Sequence, residues 1–395
     1  MKSDLIQYIK KLASDNLPEI ISIRRHIHQN PELSFKEFNT SEFIQSKLTE
    51  FGIEFKSGFV KTGIVAFVKG KNPDKKIIAL RADMDALPIL EENEVEYKSK
   101  NEGVMHACGH DVHSSSLLGV AKILNESKDE FEGTVKLIFQ PGEEKLPGGA
   151  SLMIEEGVLK NPSPEVIFGQ HVFPDLPCGK VGFRGGMYMA SADELYLKVR
   201  GKGGHAALPH KCVDTVLMAS QIITSLQQIV SRKAKPDIPS VLSFGKINSV
   251  GGATNIIPDE INIEGTFRTM NEEWRAEAHN LMVDMAENIA KSMGGTCEFE
   301  VRKGYPFLKN DESTTEQAKN LSIDYLGKEN VIDLDLRMTA EDFSYYTQNI
   351  PGCFYRLGTG KSTGLHTSTF NVDEDSLEIG MGLMSWITIN MLNEQ

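Results

Sequence analysis

The sequence predicts an α/β protein: a mostly parallel sheet flanked by helices and interrupted by an inserted α+β domain. Three observations predict it. Short runs dense in β-branched residues alternate with helix-period stretches through the first part of the chain. Near residue 190 the pattern changes to the apolar–polar alternation of half-exposed strands. Beyond about residue 300 the first pattern resumes, so one fold encloses another.

In order, residues 4–28 and 34–50 read as helices separated by the break NPELSF. Strand-like runs follow at 63–70 (GIVAFVKG) and 76–85 (KIIALRADMD). A helix near 113–127 leads to the strand GTVKLIFQPGEE at 133–144, and a helix near 147–158 leads to PEVIFGQHV at 164–172. The changed pattern begins with ADELYLKVRGKGG. It continues through a helix at 213–232, strands at 240–250 and 259–270, a helix at 272–292 and a strand at 296–305. That order, βαββαβ, is the arrangement of a ferredoxin-like unit. A helix at 313–326, the strand CFYRLGTG and a helix at 373–392 close the first fold. The expected domains are 1–188 with 299–395, and 189–298.

The 395 residues are 40% hydrophobic and 25% charged, as in globular proteins with sizeable cores. The formal charge of -13 argues against nucleic-acid or anionic-membrane partners, which need a basic surface. The start lacks the apolar core of a signal peptide, and no stretch approaches the roughly 18–20 apolar residues of a membrane span. Five scattered cysteines without a CxxC pair point to a reducing cytoplasm.

The stretch MHACGHDVH, 105–113, crowds imidazoles and a thiol together, the best side-chain ligands for transition metals. In a parallel α/β sheet, ligands bind beyond the carboxyl ends of the strands. There the sequence places Asp83 and Asp85, Glu143 and Glu144, His171, and His366 in GLHTSTF, with Cys108 and His110 at the front of a helix. Cys108 alone reads as a small buried hydrophobe, but beside His110 and near two glutamates it reads as a ligand. His171 gains the same reading from its position. The Glu143–Glu144 pair follows a buried-looking strand and a turn, unlike a solvated surface pair. Asp83 and Asp85 suit caps or turns, and Asp85 is expected to hold a histidine ligand by its free ring N–H. His106 and His113 read as loop supports; His26, His28, His210 and His279 read as structural. GKGGH lacks the spacing of a phosphate loop.

RADMDALP, MHACGHDVH, FQPGEE, GQHV, GKGGHAALPH, NIIPD and GLHTSTF occur in this order, preceded by RRHIHQNPELSFKE. As a set they resemble the di-metal amidohydrolases that include hippurate hydrolase, aminoacylase-like enzymes and plant auxin-conjugate hydrolases. These lie within the wider carboxypeptidase G and aminoacylase superfamily. The resemblance implies two divalent metal ions held by Cys108, His110, Glu144, His171 and His366, with Glu143 as general acid/base. Manganese or zinc is expected, with cobalt or nickel also compatible. It further implies that the small domain is a lid and a homodimer surface whose His205 reaches a neighbouring subunit's active site.

The implied reaction is hydrolysis of small N-acyl amino acids, such as acetyl or benzoyl derivatives. Their free carboxylate needs a counter-charge in an acidic protein, and Arg268 and Asn255 are the candidates. Surface charge and turn formation are their alternative roles. Three rival readings remain: a dipeptidase or aminopeptidase on the same scaffold, a hydrolase with Cys108 as nucleophile, and a metal-binding protein without catalysis.

Overall fold

The computed structural model describes residues 2–360 and 363–394. The chain forms two compact units. The first comprises Met1–Tyr188, Lys309–Asp335 and Asp342–Gln395; the second comprises Met189–Leu308 and Leu336–Glu341.

The first unit opens with helices α1 (Lys2–Gln29) and α2 (Phe38–Glu50). Strands β1 (Glu54–Phe59), β2 (Gly63–Lys69) and β3 (Ile77–Asp83) follow. Next come α3 (His110–Glu126), β4 (Thr134–Gln140), β5 (Val166–Phe173) and β6 (Val181–Phe183). With Val331–Asp333 and Gly352–Gly358 these strands make one sheet in the order β1, β2, β4, β3, β5, 352–358, β6, 331–333. The middle of the sheet, β4, β3, β5 and Gly352–Gly358, is parallel, while β1 and β2 add an antiparallel margin. The four parallel strands are buried along their whole length, as strands covered on both faces must be. Helices α1, α3 and Ser376–Asn393 pack on one another and share the main core.

Register brings the carboxyl ends of these strands level. Asp83 pairs with Gln140, and Phe173 pairs with Gly358. His171 lies within β5, two positions before its end, rather than after the strand.

Several helix starts differ from expectation, and the last helix begins at Ser376 rather than 373. α2 begins at Phe38 rather than 34 because Leu33 bridges to Ala86 and Phe35 adopts φ 64°, which no helix accepts. α3 begins at His110 rather than 113, directly after Gly109.

In the second unit, the strands Ser240–Val250, Glu260–Thr269, Asp193–Arg200 and Thr296–Lys303 form an antiparallel sheet in that spatial order. Helices Thr215–Gln228 and Glu272–Ser292 pack against each other and the sheet over a separate core. The expected limit at 298 would cut the last strand, whose residues Thr296–Lys303 all pair with Arg200–Asp193. The unit therefore runs to Leu308. It also takes back residues 336–341, where the Ala190 N–H donates to the carbonyls of Arg337 and Thr339. Among the described residues, no helix is long and apolar enough to cross a membrane.

Candidate metal centre

Gly109 sets the local geometry. Its φ is 82°, and a Cβ there would lie 2.5 Å from Val172 Cγ2, so neither the backbone nor the space admits a side chain. This bend turns the chain into α3 and leaves Cys108 and His110 on either side of it. His366 arrives from a distant loop. Its N–H donates to the Ala107 carbonyl at 2.8 Å, and its φ of 62° is one that non-glycine residues hold only when their surroundings enforce it.

Cys108 Sγ lies 3.5 Å from His171 Nε2 and 3.3 Å from His366 Nε2. Glu144 Oε1 lies 3.3 Å from His366 Nε2 and 3.9 Å from His110 Nε2. Two triads result, Cys108–His110–His171 and Cys108–Glu144–His366, with the donor atoms of each within 4.8 Å of one another. Cys108 belongs to both. Glu143 and Glu144 do not splay apart as adjacent residues of an extended segment would; their oxygens and a His110 nitrogen also lie within 4.8 Å of one another. The cause is Asp85, whose two oxygens accept the amides of Glu143 (3.1 Å) and Glu144 (3.0 Å) and bend the turn around them.

The ring orientations leave one nitrogen free for the centre. His171 Nδ1 donates to the Val172 carbonyl at 2.7 Å, so Nε2 presents its lone pair. His110 Nδ1 faces Asp85 Oδ1 at 3.2 Å, leaving Nε2 inward. His113 differs: Nδ1 donates to Asp83 at 2.6 Å and Nε2 accepts the Val172 N–H at 2.9 Å, so no nitrogen is left over. His110 Nε2 and Glu144 Oε1 are buried atoms without a hydrogen-bond partner among the described residues. Buried polar atoms are normally paired. An imidazole nitrogen and a carboxylate oxygen that make no hydrogen bond, beside a thiol, are the donor set that a divalent transition metal takes.

The electrostatics point the same way. Burial opposes a charged His110, yet Asp83, Asp85 and Glu144 outweigh it and push the imidazole up to about 10. The centre is a place of strong negative potential. Burial, then Glu144, Glu143 and Asp83, push the Cys108 thiol well above its ordinary range, so a thiolate there needs a cation beside it. Burial and then the Arg356 charge hold His171 well below the usual imidazole range, in the neutral state that a ligand requires.

The remaining expected residues belong to the second unit. His205 and Asn255 are exposed neighbours: His205 pairs with Ile256, and the Ala206 N–H donates to the Asn255 carbonyl at 3.0 Å. His205 Nδ1 accepts the Ala207 N–H at 3.1 Å, leaving Nε2 as a donor. Arg268 is half-buried; its Nη1 stands 3.5 Å from the Met338 carbonyl, and no acidic side chain pairs with it among the described residues.

Sequence inspection missed the buried ionic support. Asp83, expected as a cap or turn former, pairs with Arg81 at 2.6 Å; Arg81 also reaches Asp342 at 2.6 Å, which accepts from Gln140 and the Ala150 amide. Charged residues inside the fully buried run IIALRAD were the available signal, because they require buried partners. Glu37 was missed as well. His28, expected to be structural, has Nδ1 2.8 Å from Asp111 and Nε2 3.2 Å from Glu91.

Thiol, imidazole and carboxylate donors in two adjoining triads, on the carboxyl edge of a parallel sheet, define a metal-dependent hydrolase. The chain belongs to peptidase family M20/M25/M40, whose description it matches over residues 79–388. It is 41% identical over 360 residues to an N-acetyl-L-cysteine deacetylase of Bacillus subtilis, covering 91% of this chain and 85% of that one. It is 40% identical over 385 residues to the IAA-amino acid hydrolase ILR1-like 4 of Arabidopsis thaliana, covering 95% and 86%. The YXEP protein of Bacillus subtilis, described as a dinuclear metal binding peptidase from the M20 family, superposes with a TM-score of 0.83 at 35% identity. That match covers 96% of this chain and 99% of the other.

Proposed function

We propose that the protein hydrolyses the amide bond of small N-acyl amino acids, releasing a carboxylate and a free amino acid, with two divalent metal ions. The observation that carries this reading is the pair of donor triads sharing Cys108. The named activities of its relatives, deacetylation of N-acetylcysteine and hydrolysis of IAA–amino acids, supply the substrate class.

Cys108, His110, Glu144, His171 and His366 would hold the metals. Manganese or zinc is our first choice, and cobalt or nickel would suit the same donors. Bound there, the cations would supply Lewis acidity to a water nucleophile and to the scissile carbonyl. Asp85 orients His110 through Nδ1. Glu143, buried beside Glu144, takes a proton from the attacking water and delivers it to the departing nitrogen, a role typically worth roughly 10²–10⁴ in rate. His205 Nε2–H is the proposed donor to the developing oxyanion. Arg268, without an acidic partner among the described residues, and Asn255 are proposed to receive the substrate carboxylate. We read the second unit as a ferredoxin-like lid and homodimer surface, and the enzyme as cytoplasmic.

A Cys108 nucleophile is disfavoured because burial and then the surrounding carboxylates oppose the thiolate. The deciding experiment pairs Glu143→Gln with a substrate panel. The variant should bind metal as the parent does and lose turnover; normal hydrolysis by it would overturn the base assignment. Acetyl, benzoyl and indole-acetyl amino acids should be cleaved in preference to dipeptides. The reverse preference would make the enzyme a dipeptidase on the same scaffold.

A further inference from the structure

We propose that Glu37 is a positioning residue of the hydrolytic centre, whose carboxylate fixes the turn presenting Glu143 and Glu144. The inference rests on the amidohydrolase reading above.

Glu37 belongs to the segment NPELSFKE, which in sequence is only a break between two helices. In the fold this segment runs along the loops that form the centre. The Ala86 N–H donates to the Glu32 carbonyl at 2.8 Å, and Ser34 Oγ donates to Asp85 Oδ2 at 2.6 Å. Glu37 Oε1 accepts two amides, Phe35 N at 2.8 Å and Gly142 N at 2.9 Å, while Oε2 accepts Thr62 Oγ1 at 3.0 Å. Three consecutive amides of the FQPGEE turn therefore hang from two buried carboxylates. Gly142 donates to Glu37, and Glu143 and Glu144 donate to Asp85.

The same segment fills the space above the turn. Gly142 has φ 63°, and a Cβ on it would lie 2.4 Å from the Phe35 ring. The turn is thus gripped through its backbone at Gly142 and packed from outside by Phe35, immediately before the two functional glutamates.

Helix capping does not account for Glu37. It occupies the N-cap position of α2, yet its side chain makes no capping hydrogen bond and turns instead to Gly142. It is fully buried, where an uncompensated carboxylate is costly. Burial, and then the Asp85 charge, push it up to about 7, so its neutral form is well populated near neutrality. A glutamine reproduces that form. Its Oε1 can accept both amides, and its Nε2 can donate to the Thr62 hydroxyl.

The test compares Glu37→Gln, Glu37→Ala and Glu37→Asp with the parent. It measures metal dissociation constants by competition with a chromophoric chelator, and kcat and KM on an N-acetyl amino acid. Glu37→Ala and Glu37→Asp should each lose roughly 10–100-fold in metal affinity or kcat, the usual effect of freeing a group that orients ligands. KM should move little, because no substrate contact is removed. Glu37→Gln should stay close to the parent. Melting curves establish that each variant folds; were the alanine variant unable to, the aspartate variant decides, because it keeps the carboxyl group and only withdraws it from the amides. A folded alanine or aspartate variant with parental metal affinity and kcat would overturn the proposal. So would a glutamine variant as impaired as the alanine one. A parent that neither binds two metals nor cleaves the substrate would instead refute the amidohydrolase reading.

Discussion

Asp85 Oδ1 stands 3.2 Å from His110 Nδ1, and the same carboxylate accepts the amides of both Glu143 and Glu144. One buried side chain therefore sets the direction of an imidazole and the path of the turn that carries both glutamates. Replacing Asp85 by Ala should cost roughly 10–100-fold in metal affinity. Titration of the metal-free variant with manganese or zinc measures this. An unchanged dissociation constant would show that His110 and the turn hold their places unaided.

Chelation separates the metal enzyme from a thiol enzyme. Dialysis against a strong chelator should abolish activity and lower the melting temperature, because ligands that bind only the folded state stabilise it. Adding back the divalent ion should restore both. Cys108 should react slowly with alkylating agents even without metal, because burial and the neighbouring carboxylates keep it a thiol. Rapid inactivation by an alkylating agent together with indifference to the chelator would instead identify a thiol enzyme.

The donors were legible because each lies at the end of an apolar strand, in the loop that follows one, or at the front of a helix, and a parallel sheet sends such ends to one edge. Register places Asp83 and His171 at that edge, while Glu144 and His366 follow in the loops beyond Thr134–Gln140 and Gly352–Gly358. Glu37 was illegible for the opposite reason. Its partners are backbone amides and a threonine from three separate segments, and backbone donors leave no trace in sequence. Asp342 was equally hidden, since AEDFSYY looks like a polar loop until Arg81 and Gln140 are seen against it. The limit of the second unit at 298 falls inside the strand at 296–305 that the βαββαβ order already assigns to it, and the pairing of Thr296–Lys303 with Arg200–Asp193 moves the limit past that strand.

Gly109→Ala should fail on two counts. The left-handed backbone costs about 1–2 kcal/mol for a side chain. The methyl group would also meet Val172 Cγ2 at 2.5 Å, an overpacking that typically costs about 1–3 kcal/mol. The combined loss of about 2–5 kcal/mol should appear in urea unfolding. Metal binding should weaken with it, because Cys108 and His110 flank the shifted residue. A variant with parental stability would mean that Val172 and the bend relax at little cost.

The second unit carries a separate pH signature. Asp193 is buried and accepts from Arg275 Nε at 2.9 Å, from His279 Nε2 at 2.7 Å and from the Gly304 amide at 3.1 Å. Burial alone would raise this carboxyl, but His279 and Arg275 outweigh it and hold it below the ordinary range. A carboxylate with a depressed folded-state pKa stabilises the fold fully above its unfolded value, about 3.9, and loses that contribution as pH falls through the folded value. Asp193→Asn leaves the buried Arg275 with Glu272 as its remaining carboxylate partner, at 3.0 Å. Breaking a buried pair in this way costs about 3–5 kcal/mol. The expected penalty at pH 7 sits at the lower end because Glu272 remains. Below about pH 3.9 the unfolded parent takes up the proton that folded Asp193 still excludes, so the gap between parent and variant should narrow as pH falls towards the folded value. Urea unfolding of both proteins at pH 7, 5 and 3 measures the gap, and a difference that stays constant across this range would show that the Asp193 charge contributes nothing beyond its hydrogen bonds.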